Sequence, residues 1–587
     1  MLNQKSNYDK FPVVRVSDSE VGCWAGWQAI VDEIKAAIAC LNKPAAKVVV
    51  ECYQGVLDDE VKTALQQAFA SGKFICSADV MRSEQEINDF FSEDITDDEI
   101  FGYMTRYTID RFFDNKKVEV ACGEIASAVG NVIVYGTGAA YVWPDADILV
   151  YADMARWEIQ MRFRRNEVSN VGVENRDERA SLQYKRAFFV DWRICDRLKK
   201  TLMPKWDYVL DTNLAGSPKM VKGEKVWEGL QKAATRPFRV VPFFDPGIWG
   251  GQWLKEVCDL DRSTINFAWG FDCVPEENSL LLGFGDTVIE IPSINLVFAY
   301  PQQLLGVPVY GRFGAEFPIR FDFLDTMDGG NLSLQVHPLT EYIQDKFGMN
   351  YTQDESYYML DVKDDAVVYL GLKEGVDHEQ MLADLKAAQE TGSFDAEKYV
   401  GKYEAKKHDH FLIPGGTVHC SGKNSMVLEI SATPYIFTFK LWDWGRLGLD
   451  GRPRPINIAH GEKVIQWERT ELWVKKELVG QVTVISEEEG IREERTGLHE
   501  QEFIETRRHW FSRPVLHRTN GSVNVLNLVE GREAIVESPT GAFEPFVVHY
   551  AETFLVPAAV GEYTIRPYGE SEGSTCATLK AYVRHED

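Results

Sequence analysis

The hydrophobic period changes near residue 230, and that change sets what the chain can fold into. Before it, short continuous apolar runs alternate with amphipathic stretches of helical period. After it, short segments of alternating apolar and polar residues follow one another between Gly, Pro and Asp turns. The first pattern predicts parallel strands joined by helices, and the second an antiparallel barrel. A chain of 587 residues also exceeds what one core organises. The expectation is a multidomain protein: an N-terminal extension over 1–45, a parallel-sheet α/β domain over 46–225, and two β-barrel lobes over 236–460 and 461–587.

In the first half, residues 27–41 read as an amphipathic helix that stops at Asn42-Lys-Pro44. Lys47-Val-Val-Val-Glu-Cys52, Asn131-Val-Ile-Val-Tyr135, Asp147-Ile-Leu-Val-Tyr151 and Asp207-Tyr-Val-Leu-Asp211 read as buried strands, with helices over 58–71 and from about 154. A lysine-rich connection, 218–232, leads into the second half. There a helical insertion is expected over 377–390, as a solvated cover on the barrel. His408 and His410 read as an exposed strand entry because charged residues surround them.

Chemistry concentrates in Asn331-Leu-Ser-Leu-Gln-Val-His-Pro338. Strict alternation from Leu332 to Val336 predicts a strand with Ser333, Gln335 and His337 on one face. An amide oxygen and an imidazole two residues apart on a strand can share a metal ion. Glu355 opens another strand-like run and offers a carboxylate. His419 follows Pro414-Gly415-Gly416, a turn suited to a barrel mouth. A nitrogen–oxygen set of this kind suits a borderline divalent metal such as zinc (Zn2+), with room for substrate. The bland alternative for a strand-end histidine is a structural role, and His337 is the first histidine in the chain.

Composition narrows the partners. A net charge of −27 argues against nucleic acid and anionic membrane. It also means that an anionic small molecule needs a local basic pocket, and the segment carrying Lys423, Lys440, Arg446, Arg452 and Arg454 is the candidate. Ten cysteines without a Cys-x-x-Cys pair fit buried thiols in a reducing compartment. Cys420, beside His419 on a strand, points to the opposite face and packs. The N-terminal sequence lacks a signal-peptide core, and no apolar run approaches the ~20 residues of a membrane span. A cytoplasmic protein is expected, with a homo-oligomer left open.

Leu332-Ser-Leu-Gln-Val-His-Pro338 resembles the metal signature of the type I mannose-6-phosphate isomerases. Ile413-Pro-Gly-Gly-Thr-Val-His419, Leu441-Trp-Asp-Trp-Gly-Arg446, Phe244-Asp-Pro-Gly-Ile-Trp-Gly-Gly251 and Phe317-Pro-Ile-Arg-Phe-Asp-Phe-Leu-Asp325 are similar to further motifs of that family, in order, over about 236–459. Phe554-Leu-Val-Pro-Ala-Ala-Val-Gly561 resembles its second lobe, which here lacks a metal set. The resemblance implies two cupin (jelly-roll) lobes and zinc held by Gln335, His337, Glu355 and His419. It also implies interconversion of mannose 6-phosphate and fructose 6-phosphate through an enediol. Lys440, Arg446 and Arg454 then hold the phosphate or steady the intermediate, with Ser333 and Lys423 as further substrate contacts. The base is left open between a metal-bound water and Glu429.

Several positions depart from the family pattern. Thr352-Gln353-Asp354-Glu355 stands where the family has Gly-Lys-x-Glu, Lys440 replaces an arginine, Asp322 a lysine, and Asn266-Phe-Ala-Trp269 a Gly-Glu-x-Trp. Arginine and lysine differ in how they hold a phosphate. These changes keep open a zinc cupin that binds or senses a sugar phosphate without turnover, and an isomerase of another sugar.

The N-terminal half weakly resembles P-loop kinases of the uridine kinase and phosphoribulokinase kind. Asp147-Ile-Leu-Val-Tyr-Ala-Asp153, the Arg-rich segment after it, Tyr184-Lys-Arg186 and Asp207-Tyr-Val-Leu-Asp211 carry the likeness. After the first strand, however, stands Tyr53-Gln-Gly-Val-Leu-Asp-Asp-Glu60, with no Gly-Lys-Ser/Thr to cradle a phosphate. A degenerate, non-phosphorylating domain for packing, oligomerisation or regulation is expected.

Overall fold

The computed structural model describes residues 5–432, 435, 437–452, 454–497 and 499–585. The chain divides into two compact units: Val13–Lys232 with Ser279–Ala299, and the flanking segments 1–12, 233–278 and 300–587. Among the described residues no helix is long and apolar enough to cross a membrane.

The first unit is α/β. Its strands are β1 (Val13–Ser17), β2 (Cys23–Ala25), β3 (Lys47–Cys52), β4 (Lys73–Cys76), β5 (Val132–Gly136), β6 (Ile148–Asp153), β7 (Tyr208–Asp211) and β8 (Lys219–Lys222). Seven form one sheet in the order β2-β8-β7-β6-β3-β5-β4. The stretch from β7 to β4 is parallel, and β8 and β2 add an antiparallel edge. Val48, Val49 and Val50 of β3 are all buried, as a strand covered on both faces requires. The helix expected over 27–41 spans Trp27–Cys40, and that over 58–71 spans Asp58–Ala68.

The division differs from the expected one at two places. Residues 13–45 are no extension, since β1 pairs in parallel with Ser279–Phe284. That strand and its hairpin partner Thr287–Pro292 lie inside the expected barrel region yet belong to the α/β unit. Asn213 Nδ2 donates to the Glu290 carbonyl, and the Glu290 N–H donates to Asp211. A hairpin contributed from elsewhere in the chain leaves no local signal of its destination.

In the second unit, two antiparallel sheets face each other. Six strands run in the order β16-β13-β18-β11-β10-β9: β9 (Phe243–Asp245), β10 (Trp269–Cys273), β11 (Arg320–Asp325), β13 (Glu355–Val362), β16 (His410–Ile413) and β18 (Ser425–Ser431). Five more run β15-β14-β17-β12-β19: β12 (Leu334–Val336), β14 (Val367–Leu372), β15 (Val400–Glu404), β17 (His419–Ser421) and β19 (Phe439–Trp442). The expected strand from Leu332 is thus shorter than its alternation. The helical insertion is His378–Thr391, capped by Asp377 and closed by Gly392 in the left-handed conformation. Beyond residue 480, a six-stranded and a four-stranded antiparallel sheet enclose a separate core that includes Phe511, Leu526, Phe554 and Tyr563.

His410 corrects another expectation. It is 2% exposed, not at an open strand entry, and packs against the Tyr358 ring at 5.5 Å. The charged neighbours that suggested exposure lie in the preceding turn, and burial begins with β16 itself.

Candidate metal centre

Gln335, at the middle of β12, is opposite His419 of β17 on one side and Lys440 of β19 on the other. Directly paired residues share a face, so one strand brings an amide, an imidazole and an amine together. His337 continues that face two residues on, and Glu355 arrives from β13 of the facing sheet. Among the described residues, the donor atoms of His337, Glu355 and His419 lie within 4.8 Å of one another, all three side chains buried.

The two imidazoles are fixed by their outer nitrogens. His337 Nδ1 is 2.9 Å from the Phe437 carbonyl, and His419 Nδ1 is 2.8 Å from the Thr417 carbonyl. A carbonyl only accepts, so each Nδ1 carries the proton and each neutral ring presents an Nε2 lone pair inward. Those Nε2 atoms lie 3.0 Å and 2.9 Å from the two Glu355 oxygens. Lone pairs facing a carboxylate repel unless a cation or protons stand between them. The same demand appears in the titration. Burial opposes a charged His337, yet Glu355 raises its pKa above the ordinary imidazole value. Burial likewise opposes the Glu355 carboxylate, but His337 and His419 hold it well below the usual range.

The donor set fits a divalent metal. A tetrahedron with bonds of ~2.1 Å has edges of ~3.4 Å, close to the separations found here. Gln335 turns its amide nitrogen toward His419 Nε2, at 3.2 Å, while its oxygen accepts from Ser333 Oγ at 3.1 Å. Rotating that amide by a half-turn brings the oxygen to the centre, the orientation a metal requires.

Supporting contacts come from Gln353 and Gly416, which the sequence motifs contain, and from Arg469, which sequence reasoning passed over. Gln353 Nε2 donates to Glu355 Oε2 at 3.0 Å, and its oxygen accepts from the Phe437 N–H. Gly416 (φ +88°) closes the turn before His419 and donates its N–H to the His337 carbonyl. Arg469, buried, donates to the Pro414 and Gly415 carbonyls and clamps that turn from 54 residues downstream. Arg469 acts through backbone carbonyls, which no motif reports.

The basic residues fall into two groups. Arg446 and Arg454 each lie 2.7 Å from Asp443, so one carboxylate holds two guanidinium groups side by side. Lys440 is partly buried, and burial, with Arg454 nearby, lowers its pKa to about 8. Lys423 is different: it sits on an exposed turn with its ammonium 3.1 Å from Asp365. Glu429 of β18 pairs in register with Asp322 and Tyr357. Burial and the Asp322 and Glu355 carboxylates push its pKa well up, which makes it a weaker acid than an ordinary glutamate. Asp322 is itself bound to Arg320 at 3.0 Å.

A family model described as "Domain of unknown function (DUF8485)" matches residues 26–235. Among curated proteins, the chain is 26% identical over 234 residues to the probable mannose-6-phosphate isomerase GmuF of Bacillus subtilis (strain 168), covering 39% of this chain and 69% of that one. Mannose-6-phosphate isomerase ManA of the same organism is 25% identical, with 40% and 69% covered. The mannose-6-phosphate isomerase of Streptococcus mutans is 26% identical, with 37% and 64% covered. These relatives are mannose-6-phosphate isomerases, at low identity. A crystal structure of mannose 6-phosphate isomerase from Bacillus subtilis aligns over 60% of this chain and all of its own, with TM-score 0.49 and 17% identity. A zinc-bound mannose 6-phosphate isomerase structure aligns over the same shares, at 0.45 and 14%.

Proposed function

We propose that the β-rich unit is a zinc-dependent aldose–ketose isomerase that interconverts mannose 6-phosphate and fructose 6-phosphate. The observation that carries this reading is the pair of imidazoles whose Nε2 lone pairs converge on the two oxygens of Glu355. Curated relatives with that activity support the choice of reaction. Gln335, His337, Glu355 and His419 hold the ion, which when bound supplies a Lewis acid for polarising a sugar carbonyl.

The chain's own residues supply the rest. Carbonyl contacts at both Nδ1 atoms fix ring orientation before substrate arrives, so no reorganisation is needed at the reacting step. Asp443 presents Arg446 and Arg454 as a preformed pair whose planar donors suit a phosphate. Lys440 places a cation on the face of Gln335 and His419, where negative charge grows at the sugar oxygens. Ser333 Oγ lies on the same face beside the Gln335 amide, where after that half-turn it can accept from the amide nitrogen. Glu429, made a weaker acid by burial and by its Asp322 and Glu355 neighbours, is available to exchange a proton with the substrate. The α/β unit takes no part in phosphoryl transfer, because the turn after β3 lacks a lysine–hydroxyl cradle.

Zinc content and turnover test this directly. The purified chain is expected to hold about one zinc per molecule by elemental analysis. His337→Ala and His419→Ala lose it, together with fructose 6-phosphate formation in a coupled assay. Full zinc in both variants excludes the site. Zinc binding with turnover no faster than that of His419→Ala favours the non-catalytic binder, which the changed family positions motivate.

A further inference from the structure

Gln353 stands two residues before Glu355, in the segment that leads into β13, and is 2% exposed. Both ends of its amide are in use. Nε2 donates to Glu355 Oε2 at 3.0 Å, and Oε1 accepts from the Phe437 N–H at 2.9 Å. These partners fix the amide's orientation, because a carboxylate accepts and a backbone N–H donates.

The other backbone polar group of Phe437 is engaged as well. Its carbonyl accepts from His337 Nδ1 at 2.9 Å. His337 Nε2 lies 3.0 Å from Glu355 Oε2, the same oxygen that Gln353 holds. A closed ring therefore runs from Glu355 through Gln353 and the backbone of Phe437 to His337, and back across the site. His337 follows β12 of one sheet and Glu355 opens β13 of the other, so the ring ties together ligands from facing sheets. His419 is held separately, by the Thr417 carbonyl two residues before it.

The ring makes a specific demand on position 353. Its side chain must donate to a carboxylate and accept from an N–H at the same time. Glutamine does both at this length, whereas lysine has no acceptor and an ionised glutamate has no donor. A buried carboxylate oxygen or N–H deprived of its partner is unfavourable, so losing either bond releases Glu355 or Phe437 from its position. Hydrogen bonds behind the ligands are what orient them and set metal affinity.

We propose that Gln353 is a positioning residue of the metal centre, which fixes Glu355 and His337 relative to each other before an ion binds. The inference rests on the zinc reading of that centre and is independent of turnover. Its test is zinc affinity of the full-length, metal-stripped protein, measured by competition with a chromophoric chelator. The visible spectrum of the cobalt(II)-loaded protein is the second readout, since its bands follow ligand geometry and a purely structural residue leaves them in place. Gln353→Met keeps the side-chain length and removes both hydrogen bonds. Gln353→Glu keeps the acceptor for Phe437 and loses the donor to Glu355. Zinc binding is expected to weaken about 10- to 100-fold in Gln353→Met, and the cobalt bands to shift in both variants. Metal-free melting curves like the parent's establish that the variants fold. Zinc affinity unchanged in Gln353→Met, or cobalt bands unchanged in both variants, overturns the inference. A parent protein that binds no zinc overturns the metal-centre reading itself, and this inference with it.

Discussion

Lys440 is where a single side chain decides the pH range of the proposed reaction. Its pKa of about 8 lies below that of an exposed lysine because burial penalises the ammonium. If the cation is what the reaction needs, kcat/KM falls as pH rises through about 8 and the amine loses its proton. Lys440→Arg keeps its charge at every accessible pH, so its alkaline limb moves up by at least about one unit. Lys440→Met loses ~100-fold or more in kcat/KM at neutral pH. An alkaline limb that stays put in the arginine variant assigns the titration to another group. Period-2 alternation fixes which side chains share a face, so the shared face of Gln335 and His337 was legible. Glu355 and His419 were candidates from their strand and turn signals, but no spacing rule pairs residues 355 and 419. Asp443 and Arg469 were silent, because a carboxylate between two arginines and an arginine on distant carbonyls look ordinary in sequence.

At the scale of elements, the turn 414–416 and the strand β16 carry separate tests. Gly416 has φ +88°, and a Cβ there would come within 2.7 Å of Gln466 and 2.9 Å of the Val464 carbonyl. Gly416→Ala therefore costs ~1–3 kcal/mol from backbone strain and crowding. It also displaces the N–H that holds the His337 carbonyl, so zinc affinity falls with stability in metal-titrated melts. His410 of β16 is fully buried, and burial lowers its pKa to about 3. An unfolded histidine titrates near ~6.5, so between those values the unfolded chain binds more protons than the folded one. Stability accordingly declines as pH falls from ~6.5 toward 3, by ~2 kcal/mol at pH 5. His410→Gln removes that contribution, and urea melts at pH 7 and pH 5 compare the two proteins directly. A variant as acid-sensitive as the parent places the effect on other buried groups. The sequence marked a strand entry at His410 but not its depth, because depth depends on which residues cover it from elsewhere.

At the scale of the molecule, the chain enters the α/β unit twice, and that was the least legible feature. Residues 279–292 fall inside the span expected to form the barrel, since strand period carries no address. Their destination follows from long-range pairing: Val13, Val14 and Arg15 run parallel to Leu281, Leu282 and Gly283. A cut at the apparent boundary near residue 233 thus separates a sheet from one of its hairpins. In a 233–587 fragment, Leu280, Leu282, Ile289 and Ile291, all fully buried in the intact chain, lose the strand and helices that cover them. Leu281 loses its parallel partner as well. Four such side chains returned to water cost ~6–12 kcal/mol of lost burial and leave an unpaired strand edge, which promotes association. The fragment is expected to elute as aggregate in size-exclusion chromatography. The same fragment with 279–292 replaced by a Gly-Ser linker is expected to elute as a compact species that retains zinc at His337, Glu355 and His419. Equal aggregation of the two fragments places the dependence in the rest of the second unit. A compact, unmodified 233–587 fragment shows instead that the hairpin folds without β1.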